Sequence, residues 1–307
     1  MDVIILGIVG TLIALPFFDT FSRLGAWGKL VGFLIALPYF AILNSAVGNG
    51  QTLGKRLMHL QVVGADGKTI SLLKATIRYA LFAAAYFLNQ LSLPISRTPF
   101  IILYLLSFII FGLGGATIYL VLFNRHTRQA VHDLAVGSYV ADADKDGPLA
   151  LQPIWNAHWV ILCSWLVILV VASTIIQTRL LNWGPFPHLL GDVRVVEALE
   201  SVQTAGAREV TWTSSGSDSH QKILVIDVLW TGQSGSESAV ADRIAKLILQ
   251  QDSKAQEHDV FRIVISRGYD IGIASARVSQ IFEHTPAEWK ARLLEVPAPN
   301  APEPAKL

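Results

Sequence analysis

Three short stretches carry residues whose types and spacing could do chemistry. The first is GNGQTLGK, residues 48–55, where glycines lead into Gly54-Lys55. A phosphate-binding loop needs Gly, four residues, then Gly-Lys and a Ser or Thr, so that backbone N–H groups ring the phosphates and the hydroxyl meets Mg²⁺. Here the first glycine position is Asn49 and the hydroxyl position is Arg56, which excludes a nucleotide cradle. The second is Asp2, in MDVIILGIV, at the head of an apolar run. A carboxylate in or near a bilayer is costly unless paired, so Asp2 is a candidate ion or proton site, and a structural salt bridge reads equally well. The third is RHTRQAVHDLAVGSYV, residues 125–140. Arg125 and Arg128 read as ordinary cations beside a span. Asp133 either pairs locally with one of them or, flanked by Val131 and Leu134, requires a specific partner.

Other reactive side chains are scattered. Cys163 is the single cysteine, so no intramolecular disulfide forms. No His, Cys, Asp or Glu set has metal-ligand spacing. Ser234, Ser236 and Ser238 flank a helix start and read as capping and turn residues, and His220, His258 and His284 each stand alone. No enzyme, cofactor, metal or nucleic-acid partner is expected.

The elements that must position these residues fall into two halves. Residues 1–178 hold 11 Lys and Arg, 7 Asp and no Glu, whereas 179–307 hold 13 Lys and Arg and 16 Asp and Glu. The apolar, mildly basic half contains four stretches fit to cross about 30 Å of hydrocarbon: 3–18, 30–47, 100–123 and 159–178. A weaker fifth, 75–93, carries Arg78 in its first turn. Lys and Arg number eight in segments 48–78 and 124–157 against three in the alternate loops, which puts those segments and the N-terminus on the cytoplasmic side. Trp155, Trp159 and Trp183 flank the last span as interfacial anchors would. If 75–93 crosses, the tail lies outside; if not, it stays in the cytoplasm.

Around the first motif, Leu57, Leu60, Val62 and Val63 give 53–63 an apolar side, so this stretch is expected to lie in the membrane interface. Lys55, Arg56 and His59, with Arg125 and Arg128, would meet lipid head groups there. Ala65–Lys68 reads as a tight turn, and Ser71 as the cap of a helix from about Leu72. In the tail, a helix at 191–203, strands at 208–214 and 222–230 joined through SGSDSH, a helix at 236–251, and two strands separated at Gly268-Tyr269 are expected. A capping box at Thr285–Glu288 opens a last helix, and 296–307 is proline-rich and expected to be disordered. The expected fold class is a membrane all-α bundle of four helices plus a fifth span, followed by a small two-layer α+β domain with an antiparallel sheet. The domains are 1–141, a cytoplasmic linker 142–157, the fifth span 158–178, an extracytoplasmic domain 179–295 and the tail 296–307.

Taken together, GQTLGKRLMHLQVVGADGKTISLLKATIR, a span pair and RHTRQAVHDLAVGSYV resemble the RDD family of bacterial membrane proteins over about residues 1–141. The family's pattern falls on Gly50, Thr52, Gly54, Lys55, Asp66-Gly67, Arg78, Arg125 or Arg128, His132-Asp133 and Gly137. Asp2 and Asp133 match its two aspartates. The family arginine that should precede Asp2 has no counterpart here; either the native start lies upstream, or the α-amino group of Met1 supplies the charge. The resemblance implies a bacterial inner-membrane protein that transports an ion or small solute, with Na⁺/H⁺ exchange as the example. Asp2, Asp133, His132 and Arg78 are the implied ion or transport residues. So few helices imply a homo-oligomer in the bilayer. The alternative is a non-transporting anchor whose outer domain binds a protein partner or ligand.

Overall fold

The computed structural model describes every residue except 146, 150–151, 180–181, 214–219, 233 and 296–307. The expected SGSDSH turn and the proline-rich tail therefore lie, wholly or nearly so, outside the described residues. Two compact units emerge. One comprises Met1–Ser92, Thr98–Arg179 and Tyr269–Ala276; the other comprises Leu93–Arg97, Leu180–Gly268 and the chain from Arg277.

The first unit is helical. Helices α1 (Asp2–Ala14), α2 (Phe18–Leu24) and α3 (Gly28–Leu43) follow one another, with short 3₁₀ turns at Leu15–Phe17 and Gly25–Trp27. Pro16 sits in the first of these turns, where its missing N–H breaks the α-helical ladder. Then come α4 (Leu53–Leu57), strand β1 (Leu60–Gly64) and α5 (Leu72–Leu88). Helices α6 (Phe100–Ser107) and α7 (Gly114–Phe123) are joined by a π-helical stretch, Phe108–Leu113. The unit closes with α8 (Val131–Val136), β2 (Ser138–Asp142) and α9 (Asn156–Thr178). Among the described residues, three helical runs are long and apolar enough to cross a membrane: Asp2–Leu43, Phe100–Phe123 and Asn156–Ile176. Helix α5 has 17 residues, about 25 Å of rise, and gives way to extended backbone at Asn89. It therefore starts and stops earlier than the expected span 75–93.

Leu6 of α1, Ala36 of α3 and Tyr79, Ala83 and Phe87 of α5 form one buried cluster. The rings of Phe40 and Tyr79 stack with centroids 4.4 Å apart. Within 53–63, the stretch expected at the membrane interface, a short helix and a strand form. Only α4 is helical, and β1 pairs antiparallel with β2, Val62 opposite Val140, burying Val62 and Val63. The pairing partner lies far along the chain, so local amphipathicity concealed it. The expected turn and cap do form: Gly67 has φ +76°, and Ser71 Oγ accepts from the N–H of Lys74 at 3.4 Å.

The second unit reads α10 (Phe186–Glu197), β3 (Val202–Thr213), β4 (His220–Trp230), α11 (Glu237–Gln251), β5 (Val260–Asp270), β6 (Ser275–His284) and α12 (Pro286–Glu295). Its sheet order is β3-β4-β5-β6. The antiparallel expectation holds for β3 and β4, but β4 and β5 run parallel, so the sheet is mixed. The crossover through α11 is long enough to return the chain to the same end, which a hairpin cannot do. Strand β5 also runs through Gly268-Tyr269 instead of ending there, and the chain reverses at 271–274. Alternate residues of β4 and β5 (Leu224, Ile226, Phe261, Ile263 and Ile265) join Ile244, Ile248 and Trp289 in the main core. Trp289 Nε1–H donates to the Phe261 carbonyl at 2.9 Å. The capping box closes reciprocally, Thr285 N–H to Glu288 Oε2 at 2.8 Å and Glu288 N–H to Thr285 Oγ1 at 3.2 Å.

Candidate functional site

Asp2 heads α1, and its carboxylate is held by donors from two other segments. Tyr39 Oη–H and Gly54 N–H donate to Oδ1 at 2.8 and 2.9 Å, and Thr52 Oγ1–H donates to Oδ2 at 2.7 Å. The buried Thr52 oxygen also accepts from Lys55 N–H at 3.3 Å, which caps α4. A Cβ on Gly54 would sit 2.8 Å from Asp2 Oδ2, so only glycine lets the loop approach this closely. The glycine-rich loop thus does cradle an anion with a backbone N–H, but the anion is a carboxylate of its own chain.

Asp133 is managed the same way. Arg78, 9% exposed on α5, places Nε and one terminal nitrogen each 2.8 Å from Asp133 Oδ1, and Ser138 Oγ–H donates to that oxygen at 2.9 Å. Ala130 N–H donates to Oδ2 at 3.2 Å, tying the carboxylate to the first turn of α8. The partner of Asp133 is therefore Arg78, not Arg125 or Arg128, which are both exposed. Gly137 ends α8 at φ +66°, the left-handed cap that glycine takes without steric cost.

Beside Asp2 and the Arg78 partner of Asp133 lies a cavity of about 300 Å³, whose lining includes Asp2, Asn44, Lys55, Arg78 and His132. Lys55 Nζ donates to Asn44 Oδ1 at 2.9 Å. Burial, reinforced by the Arg78 cation, lowers its pKa to about 8, with Asp2 and Asp133 opposing. His132 Nε2 stands 3.3 Å from Asp133 Oδ2, and its buried Nδ1 has no partner among the described residues. Burial pushes the imidazole well below the ordinary histidine value despite Asp133, so the ring is neutral. With its proton on Nε2 facing the carboxylate, Nδ1 keeps a bare lone pair.

The structure thus gathers Asp2, Lys55, Arg78, His132 and Asp133 at one site. Asp2 and Asp133 both accept from protein donors there. Arg56, His59, Arg125 and Arg128 are exposed and take no part in it. Gly50, Thr52 and Gly54 shape the loop. Tyr39, Asn44 and Ser138 were not singled out from sequence. Tyr39 lies 37 positions from Asp2, Asn44 11 from Lys55 and Ser138 5 from Asp133, and no motif spacing signals any of them.

A second titratable group occupies the α+β unit. His188 Nε2 and His258 Nε2 lie 3.2 and 3.3 Å from the same Glu209 Oε1, and His258 Nδ1–H meets the Lys254 carbonyl at 2.9 Å. His258, expected to stand alone, does not. Nearby Asp192 is 2% exposed, and burial, then Asp252 and Glu209, push its pKa up to about 7. The Oδ2 atoms of Asp192 and Asp252 are both buried without a partner. Neither carboxylate can donate to the other unless one proton is retained between them. Among the described residues, no group of three or more His, Cys, Asp or Glu could hold a metal ion.

Apolar helical runs of membrane-crossing length, with a polar network at the ends of α1 and α5, define a helical membrane protein with an additional α+β unit. Residues 1–137 match the RDD family. The sequence beyond residue 137 lies outside that match and forms an additional C-terminal region. No curated protein and no solved structure matches the chain.

Proposed function

We propose that the RDD region carries a small ion or solute across a bacterial inner membrane, with the cavity as its binding site and Lys55 as the group that exchanges charge. One observation carries this reading. Residues from both halves of the family motif line a single cavity, where the carboxylates accept from protein donors and, among the described residues, Lys55 Nζ is held by the neutral Asn44. A metal cation needs several free oxygens, and the oxygens of Asp2 and Asp133 already accept from protein donors. A lysine whose pKa is near 8 exchanges a proton close to neutral pH, so the chemistry favours proton coupling over direct Na⁺ ligation. Proteoliposomes containing a pH-sensitive dye test it. Wild type and Arg56→Gln should move protons when a gradient of Na⁺ or a small organic anion is imposed, and Lys55→Met should not. Absence of gradient-driven proton movement with every ion tried would remove the reading. Protease treatment of spheroplasts locates the tail: cleavage there puts it outside, in line with the excess of Lys and Arg in 48–78 and 124–157.

A second reading makes the α+β unit a partner-binding domain on a membrane anchor. It is favoured by the edge strand β6, which leaves Val278 62% and Ile281 63% exposed. Unpaired strand edges with apolar side chains recruit partners. Crosslinks formed by the full chain in native membranes should disappear in Ile281→Asp if β6 is the docking edge.

A further inference from the structure

The polar cavity does not end at its charged residues. Val3, Phe40, Tyr79 and Phe82 also line a second cavity of about 90 Å³, which continues past Leu6 and Tyr86. Three of these residues face outward from the helices: Val3 is 72%, Phe82 46% and Tyr86 52% exposed. The charged site is therefore continuous with an apolar surface formed by α1 and α5, beside a helical run long enough to cross a membrane. A ligand that reaches Lys55 by this route has an acyl chain.

The polar end restricts the head of such a ligand. Asp2 and Asp133 already accept from several protein donors, and Arg78 is paired with Asp133. Among the described residues, Lys55 Nζ donates to the neutral Asn44 and to no other hydrogen-bond partner, so it can take an anionic oxygen. His132 presents the opposite requirement. Among the described residues its neutral Nδ1 is a buried acceptor without a donor, an arrangement that is costly until a hydroxyl or N–H reaches it. Lys55 and His132 line the same cavity. The head must then combine an anion with a hydroxyl, and the tail must be apolar. We infer that this cavity and the adjoining apolar face bind an anionic phospholipid whose head group carries a free hydroxyl, of the glycerol-headed class, with the phosphate at Lys55, a hydroxyl at His132 and a chain along Val3, Phe82 and Tyr86. The reduced basicity of Lys55 fits a cation awaiting its counter-ion. The inference rests on the same cavity as the transport reading but does not require flux.

The test uses the purified full chain and varies the lipid before the protein. Melting temperature is measured in detergent with added phosphatidylglycerol, phosphatidylmethanol (an anionic phosphate without a head-group hydroxyl), phosphatidylcholine or free glycerol phosphate. Stabilisation should fall in the order phosphatidylglycerol, phosphatidylmethanol, phosphatidylcholine, and free glycerol phosphate should give no shift, because it lacks the chain. In Lys55→Met the phosphatidylglycerol shift should be at least halved, and in His132→Phe the gap between phosphatidylglycerol and phosphatidylmethanol should close. Arg56→Gln should behave as wild type. Equal shifts from all three lipids in wild type would overturn the site without recourse to any variant, as would an undiminished phosphatidylglycerol shift in Lys55→Met. A shift from glycerol phosphate equal to that from the lipid would identify a soluble anion site instead and overturn the lipid assignment. Lipid-dependent stabilisation in a protein that moves no protons in liposomes would leave this site standing and remove the transporter.

Discussion

Asp133 and Asp192 are buried to a similar degree, 5% and 2% exposed, yet the protein manages them in opposite ways. Around Asp133 the chain supplies a guanidinium, a hydroxyl and a backbone N–H. Around Asp192 it supplies two more acids, Asp252 and Glu209. The first arrangement surrounds a carboxylate with a cation and neutral donors. The second favours a retained proton, because two buried carboxylates without a cation repel. Burial alone therefore does not decide what a buried aspartate does. The donors gathered around it decide.

The largest test of this contrast is Asp133→Ala, which strands Arg78 as an unpaired buried cation. It should cost about 3–5 kcal/mol, read as loss of folded protein or a steep fall in melting temperature in detergent. Adding Arg78→Met should recover most of that loss, because no charge is then left unpaired. Failure of the double variant to recover would mean that the Asp133 cap on α8 matters more than the ion pair.

Next in size is Asp192→Asn, which should act with the opposite sign. The folded protein holds the Asp192 proton up to about pH 7, against an ordinary value of 3.8. Its contribution to stability is thus fully present below the ordinary value and is lost as pH rises through about 7. Asparagine removes that loss. At pH 8 the variant should be more stable by on the order of 1–3 kcal/mol, and near pH 4 it should match wild type. Hydrogen exchange of α10 peptides in the full chain at both pH values reads the difference, and equal protection at pH 8 would show that Asp192 keeps no proton.

Gly54→Ala probes how tightly Asp2 is held. The new methyl meets Asp2 Oδ2 at 2.8 Å, so the loop or α1 must shift, at about 1–3 kcal/mol. The smallest effect belongs to the exposed cations. Arg125→Gln should change stability by less than about 0.5 kcal/mol, because the residue stands outside the site. A larger loss would mean that the basic segment 124–128 has a structural partner.

Much of the helical region was legible before any coordinates. The apolar stretches 3–18, 30–47, 100–123 and 159–178 fall within or overlap the helical runs 2–43, 100–123 and 156–176, since hydrocarbon length sets a threshold that composition alone can meet, but the joining of the first two into one run was not foreseen. The Asp66-Gly67 turn, the Ser71 cap and the Thr285–Glu288 capping box followed from interactions within four residues of sequence. Asp133 was recognised as needing a partner, but which partner could not be read. The Arg78 pairing joins residues 55 positions apart, and local cations at 125 and 128 offered a nearer choice.

The β1–β2 pair and the parallel β4–β5 contact escaped notice for the same reason. A short strand carries no record of its neighbour, and direction depends on where the crossover returns the chain. The His188–Glu209–His258 group gave no signal either, since its members lie far apart in sequence and each has an ordinary surface-residue identity.

By itself, then, the sequence determined that this is a membrane protein with an RDD-type motif, because hydropathy, caps and turns are local and additive along the chain. Only the tertiary structure decided that Asp2 and Asp133 are latched by donors, that Lys55 and His132 remain at the cavity, and that Asp192 shares its burial with other acids. Those properties depend on which distant donors are brought within about 3 Å, and hydrogen bonding falls off too steeply with distance for spacing along the chain to foretell it.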